Sequence, residues 1–387
     1  MAMNDFFKRK RIFFYFIIVG LLILITVVSY FNLAIQPITA KAKNIAKVER
    51  GAIVDRHGVP LAVQTIFYRI GVNTKEIKDK QDFALKMCSV LDMTEDALFE
   101  KIDKNREYVI LKKKATMAEY DEIRSLALDC GFKNINYEQL PGRIYPNNAM
   151  ASQLIGYMGD EGYGLAGIEF SQQQILSPAI DASKENPEQG KNIYLTIDTT
   201  LQYKLEQIAY DAITETQAES MIMIAADCKT GEILSYISLP SADLNDYGMA
   251  SNEAKLNRPS TNAYEPGSVF KIFTVGIVTD EKGISANDSF LCDGAYEKRL
   301  GNGETVRIKC LEHHGWLTPR EALKYSCNDV LGQISDRISD DQFINRIKQL
   351  GFGEKTGIEL SGETSGFVKD PDNKTWSARS KPTIAIG

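Results

Sequence analysis

Glu265-Pro266-Gly267-Ser268-Val269-Phe270-Lys271-Ile272-Phe273-Thr274-Val275 carries more chemical information than any other stretch of this chain. Between Glu265 and Asp280 the only charged residue is Lys271, in a segment otherwise apolar enough to form a buried helix. A lysine there must be accounted for, because an unpaired ammonium is costly away from water. If Ser268 opens the helix, the i,i+3 spacing puts its hydroxyl and the lysine amine on one face, within reach of each other. Burial and any nearby positive charge disfavour the ammonium, lowering the pKa from about 10.4 and leaving an amine that can take the serine proton. The helix N-terminus adds oriented N–H groups suited to a developing oxyanion. A Ser and a Lys three apart also arise by chance about once in a chain of this length and ordinary composition, so the pair alone fits a snorkelling surface lysine equally well.

A serine acyl-transfer site also needs a group that hands a proton to the leaving amine, and Ser-x-Asn is one solution. Three such triplets occur: Ser260-Thr261-Asn262, Ser285-Ala286-Asn287 and Ser326-Cys327-Asn328. The third follows a well-marked helix start, with Thr318 as N-cap, Pro319 at the first position and Glu321 completing a capping box. A loop at the end of such a helix can aim side chains across a cleft, which selects Ser326 and Asn328.

The chain has 387 residues, 45 Lys plus Arg and 51 Asp plus Glu, for a net charge of −6. That length suggests two or three domains, and 44% hydrophobic with 25% charged residues is the composition of folded protein. A net negative chain lacks the basic character that neutralises a nucleic-acid backbone, so nucleic acid is not expected as a ligand. With three histidines, His57, His313 and His314, six scattered cysteines and neither His-Glu-x-x-His nor Cys-x-x-Cys, metal chemistry looks short of ligands.

The charges are uneven. Lys8, Arg9, Lys10 and Arg11 sit together, and the stretch from Ile12 to Ala40 has none. Ile12 to Phe31 is long enough as a helix to cross the hydrocarbon core. A cleaved signal peptide competes, but its apolar region is usually only about 7 to 15 residues. The basic cluster abutting the run favours a cytoplasmic N-terminus, although Lys41, Lys43, Lys47 and Arg50 on the far side tie the count. The remainder would then lie outside the cytoplasm, where disulfides form. Cys88, Cys130 and Cys228 read as small buried hydrophobes; only Cys292 and Cys310, flanking the hairpin-like Gly301-Asn302-Gly303, invite a pairing, which stays open.

Past the apolar run, helical patterns at Asp82 to Leu91 and Ala118 to Leu128 and a strand at Tyr108 to Leu111 suggest an α+β module. Ser183 to Lys191, with Pro187 and Gly190, reads as a linker. Beyond it come Ile193 to Ile197, a helix through Leu201, Leu205, Ile208 and Ala212, and a hairpin of Met221 to Ala226 with Ile233 to Ile237. Gly162-Tyr163-Gly164-Leu165-Ala166-Gly167 fits a dinucleotide-binding spacing, but no strand runs into it, so it reads as a flexible loop.

Seven features in order resemble the class B penicillin-binding proteins, membrane-anchored peptidoglycan D,D-transpeptidases. They are the apolar N-terminal run; Arg50-Gly51-x-Ile53-x-Asp55-Arg56; Arg143-Ile144-Tyr145-Pro146 followed by Gly164-Leu165-Ala166-Gly167-Ile168-Glu169; Leu195-Thr196-Ile197-Asp198; Glu265-Pro266-Gly267-Ser268-x-x-Lys271; His314-Gly315; and Ser326-Cys327-Asn328. Each is weak alone, and the ordered set is highly specific. The resemblance implies a cytoplasmic tail (1–11), a single-pass anchor in the cytoplasmic membrane (12–34), an α+β pedestal of the dimerisation type (45–182), a linker (183–191) and an α/β transpeptidase domain of the serine β-lactamase-like fold (192–387). Ser268 would be acylated by the penultimate D-Ala of a stem peptide or by a β-lactam. Lys271 would be the base, Ser326 a proton relay and Asn328 a hydrogen-bonding group for the substrate amide. No cofactor or metal is implied. The pedestal would dock a SEDS-type glycosyltransferase and other division proteins, and Glu265-Pro266-Gly267 resembles the division type more than the elongation type.

The family's third motif, Lys-Ser/Thr-Gly on a strand beside the nucleophile, is spelled by Lys355-Thr356-Gly357. Its surroundings, Gly351-Phe352-Gly353-Glu354 and Ile358-Glu359-Leu360, resemble instead a turn that precedes that strand by a long interval. The expectation is that the true motif is absent, that the transpeptidase domain is incomplete at its C-terminus, that the core sheet has an unpaired edge, and that the chain as given is a fragment whose pocket is half-built and whose own activity is in doubt. A β-lactamase or β-lactam receptor would share the serine chemistry, and a non-catalytic membrane scaffold is the other class left open.

Overall fold

The computed structural model describes residues 20–24, 49–104, 106–179, 189–301 and 303–387. Most of the expected membrane span, and the linker up to residue 188, lie outside them. Gly20–Leu24 are helical, with Leu21 to Leu24 exposed, and among the described residues no helix is long and apolar enough to cross a membrane.

The N-terminal module is built on β2 (Pro60–Asn73), which follows the short β1 (Ile53–Val54). β2 pairs antiparallel with β3 (Tyr108–Ala115) and with β4 (Ile135–Ile144). Along β2 the buried side chains Tyr68, Ile70 and Val72 alternate, as a strand with one covered face requires. The cover is α1 (Lys80–Met87), α2 (Glu95–Asp103) and α3 (Met117–Asp129), which bring Phe83, Met87, Leu98, Ile102 and Ile123 into one core with Val109 and Leu111. Each helix start is capped by its own sequence. Asp79 and Thr94 accept from Asp82 N and Ala97 N, and Thr116 with Glu119 forms a reciprocal capping box.

Three segments distant in sequence meet at the base of this module. Glu169 is fully buried between two guanidinium groups: Arg50 Nε donates to Oε2 at 2.7 Å and Arg143 Nε to Oε1 at 2.6 Å. Arg50 also donates to Glu169 O and Gln173 Oε1, and Arg143 to Gly51 O. Asp55 accepts from the backbone of His57 and Val59 and from both N and Oγ1 of Thr199. The glycine-rich loop packs against this cluster at Gly164, whose N–H donates to Gln173 Oε1. A Cβ on Gly164 would fall 1.9 Å from Glu169 O, so its glycine permits a close backbone approach beneath this ion cluster.

The second module is joined to the first by a sheet. β5 (Ile193–Tyr194) pairs parallel with β1, and Gly190 N donates to Glu49 O. α4 (Thr199–Thr216), capped by Asp198, packs on the hairpin of β6 (Met221–Ala226) and β7 (Ile233–Leu239). Buried Gln202 fastens helix to hairpin, accepting from Ser235 Oγ and Tyr236 N and donating to Tyr236 O. Among the described residues β6 and β7 pair only with each other, and Ile222 and Ile224 remain exposed. The remaining core is helical: α5 (Lys271–Asp280), α6 (Pro319–Lys324), α7 (Asn328–Ser335), α8 (Asp340–Gln349) and α9 (Ser380–Ile386). They enclose Phe270, Ile277, Val330, Leu331, Phe343 and Ile347, with β8 (Phe290–Cys292) and β11 (Gly315–Leu317) along one flank. β9 (Ala295–Arg299) and β10 (Thr305–Lys309) pair antiparallel.

Candidate active site

Ser268 does not open the helix as expected; it lies in a 3-10 turn, Gly267–Phe270, ahead of α5. Gly267 holds φ +64°, a conformation that favours glycine, and its N–H donates to Gly387 O at 3.0 Å. The turn leaves Ser268 and Val269 exposed and sends Phe270 into the core. On α5 the buried residues Lys271, Thr274, Ile277 and Val278 form one face, and Thr274 Oγ1 ties that face to Ala385 O of α9 at 2.7 Å.

Lys271 is 2% exposed, and its amine is fixed by three oxygens: Ser326 O at 2.8 Å, Ser326 Oγ at 2.9 Å and Asn328 Oδ1 at 2.6 Å. None is a carboxylate. Burial pushes the Lys271 pKa down from its usual value, while the Cys310 and Cys327 thiols act the other way. The Lys271 nitrogen donates to all three oxygens, and the Ser326 hydroxyl, which can also donate, is the partner able to exchange a proton with it. Ser326 stands at φ +50°, rare for a side chain with a Cβ, and that strained backbone turns both its oxygens toward Lys271. The helix start behind it is as the sequence indicated: Thr318 Oγ1 accepts from Glu321 N, and Glu321 Oε2 accepts from Thr318 N.

One expectation needs correction. Among the described residues Ser268 Oγ has no hydrogen-bond partner, so the direct Ser268–Lys271 contact is not made; the amine is held by Ser326 and Asn328 instead. Asn328 holds Lys271 through Oδ1 and donates from Nδ2 to Lys309 O at 3.1 Å, which leaves one N–H and one lone pair of its amide uncommitted. The rejected triplets serve turns: Ser260 Oγ bonds Asn257 O, and Ser285 bonds Asp288. Lys355-Thr356-Gly357 lies off any strand, with Thr356 bonded to Glu363, while Ile358 and Leu360 pack into the cluster at the pedestal base.

Two family models match the chain: a Penicillin-binding Protein dimerisation domain over residues 45–192 and a Penicillin binding protein transpeptidase domain over residues 221–387. The chain belongs to the class B penicillin-binding proteins. Stage V sporulation protein D of Bacillus subtilis is 26% identical over 95% of this chain and 61% of that protein. Peptidoglycan D,D-transpeptidase FtsI of Escherichia coli is 26% identical over 87% of this chain and 59% of that protein. The chain thus spans about three fifths of the length of these curated relatives. A crystal structure of a peptidoglycan synthetase from Bifidobacterium adolescentis has the same fold, with a TM-score of 0.61 at 24% identity, covering 88% of this chain and 68% of that one.

In this penicillin-binding protein the cysteines depart from the sequence reading. All six are free thiols, and Cys228 is exposed. The view that the chain is short of metal ligands is overturned by the fold: Cys292, Cys310, His314 and Cys327 converge, with their ligand atoms all within 4.8 Å of one another. The spacings of 18, 4 and 13 residues match no local motif, and only Cys310-x-x-x-His314 carried a signal in the sequence. Burial raises the Cys310 thiol, but backbone N–H groups of Asp329, Glu312 and Asn328 outweigh it and hold its pKa at about 7. Burial pushes the Cys327 thiol well up.

Proposed function

We propose that this penicillin-binding protein is a serine D,D-transpeptidase that cross-links peptidoglycan stem peptides through an acyl-enzyme on Ser268. The observation that carries the reading is a buried Lys271 amine facing neutral oxygens only, one turn from an exposed serine. Lys271 takes the Ser268 proton as Oγ attacks the penultimate D-Ala carbonyl carbon. The peptide bond to the terminal D-Ala breaks, and its amine leaves with a proton passed through Ser326 Oγ. An amine of a second stem peptide then attacks the ester, forming the cross-link and returning the proton to Ser268. A β-lactam follows the first half of this path, its ring amide opening to the same ester. Asn328 positions Lys271.

The reading extends to a serine β-lactamase-like fold for residues 192–387 and to a single-pass anchor at Ile12 to Phe31, with Lys8 to Arg11 cytoplasmic and the bulk outside. The support is the basic cluster abutting an uncharged run. Glu265-Pro266-Gly267 supports a division role, and the reading puts a SEDS-type glycosyltransferase and other division proteins beside the pedestal. Incubation of the chain with a fluorescent penicillin tests the chemistry. Covalent label on wild type and none on Ser268→Ala is expected; equal labelling of the two, or none on either, would refute it.

A further inference from the structure

Among the described residues two lysines are buried, Lys271 and Lys381, and only the first takes part in the chemistry above. Lys381 lies in the first turn of α9, 6% exposed, with its amine between the end of α7 and the start of α8. Nζ donates to Ile338 O at 2.8 Å, pairs with Asp340 Oδ1 at 2.9 Å and stands 4.0 Å from Asp336 Oδ1. Both carboxylates are themselves held. Asp336, the C-cap of α7, accepts from the Tyr296 hydroxyl at 2.7 Å and from Lys298 Nζ at 2.6 Å. Asp340, the first residue of α8, accepts from Trp376 Nε1 at 2.9 Å.

The opposite ends of α7 and α9 meet the acylation centre. α7 begins at Asn328, whose Oδ1 holds the Lys271 amine. α9 runs into Ala385 and Gly387, whose carbonyls accept from Thr274 Oγ1 and from Gly267 N beside the nucleophile. Lys381 and Ala385 are four residues apart, so both fall on the buried face of α9, separated by about 6 Å along its axis. The rise from Asn328 to Asp336 is about 12 Å. α7 thus carries the clasp on Lys271, α9 braces the serine turn, and Lys381 joins the two helices at their far ends. An aliphatic side chain in the same place would fill the space yet let α9 slide along α7, because apolar contacts have no direction. Hydrogen-bonded ion pairs to two separate elements resist that slide.

We propose that Lys381 is a positioning residue for acylation: its bonds to the end of α7 and the start of α8 set the register of α9, and that register sets how Ser268 Oγ stands relative to Lys271 and Ser326. No proton passes through Lys381, and it touches no reacting atom. The clamp stands on its own geometry; its effect on Ser268 rests on the acyl-enzyme reading.

Lys381→Met in the full chain removes the charge and keeps the length of the stem. Deuterium exchange over Gly267 to Phe270 is expected to quicken about tenfold as the turn loses its brace. The fluorescent-penicillin labelling rate at saturation, per folded molecule, is expected to fall on the order of 10- to 100-fold, with the half-saturating concentration unchanged. Asp340→Ala, at a more exposed site, is expected to move both readouts the same way by less, and it decides the matter should Lys381→Met not fold. Lys348→Ala, which removes an exposed pair with Asp370 on the same helix α8, is expected to change neither. An unchanged saturating rate in the folded variants, or a loss confined to the half-saturating concentration, would overturn the positioning role. Unchanged exchange in the serine turn would overturn the clamp. Faster exchange with no labelling of any form, wild type included, would refute the acyl-enzyme reading and leave the clamp standing.

Discussion

At the base of the pedestal, Arg50 and Arg143 close on a single carboxylate, Glu169, and every partner they have is inside the protein. At the acylation centre Lys271 is just as buried, yet its three partners are neutral oxygens. The first arrangement stabilises charge and holds three chain segments together. The second withholds a counter-charge, so burial drives the amine toward its neutral, proton-accepting form. On the acyl-enzyme reading, what separates the structural cations from the proposed base is whether the facing oxygens include a carboxylate.

The comparison can be broken most decisively at Lys271. Lys271→Met is expected to reduce acylation of Ser268 by about 10³-fold or more while the fold persists, and Lys271→Arg to do no better, since a guanidinium does not deprotonate. Penicillin-labelling rates alongside circular dichroism check both. Glu169→Gln should show the opposite pattern. Leaving two buried guanidinium groups without their carboxylate is expected to cost about 3–5 kcal/mol of stability, read by urea unfolding, with labelling per folded molecule retained.

Asn328→Asp converts one arrangement toward the other. In the wild type, the acylation rate is expected to rise with pH as Lys271 loses its proton, levelling off below the ordinary lysine value of about 10.4. A carboxylate in contact with the amine favours the ammonium, so the rising limb in this variant should move about one pH unit or more upward. A limb that stays in place would mean that Lys271 is not the titrating base. The smallest expected effect is Thr318→Ala, which removes the cap of α6 and should cost about 1 kcal/mol by thermal or urea unfolding.

The parts of the site that the sequence revealed are those written in short-range spacing. Ser268 and Lys271 stand three residues apart in an apolar run, and Thr318-Pro319-x-Glu321 marks a helix start. That helix ends where Ser326 and Asn328 begin. Local physics decides such features: cap geometry, helical period and the cost of an isolated charge. Other features depend on where the chain returns. Arg50 and Arg143 reach Glu169 across 119 and 26 residues, and the four Cys and His donors come from a strand end, a loop and a helix cap. The left-handed Ser326 backbone is imposed by its neighbours and carries no composition signal. β2 escaped the pattern because only part of its length is covered; Ile66 remains exposed beside alternately buried Tyr68, Ile70 and Val72.

The parallel pairing of β1 with β5 has a mechanical corollary. The chain enters the pedestal at Glu49 and re-emerges at Gly190 in direct contact with its entry point, so the whole pedestal is a side excursion from one spot. A pull applied at Glu49 against the second module loads β1 and β5 from opposite ends, in shear along their shared ladder, and the Asp55–Thr199 bonds lie on the same line. Tension therefore runs through β1, β5 and the Asp55–Thr199 bonds, off the sheet of β2, β3 and β4 that forms the body of the pedestal.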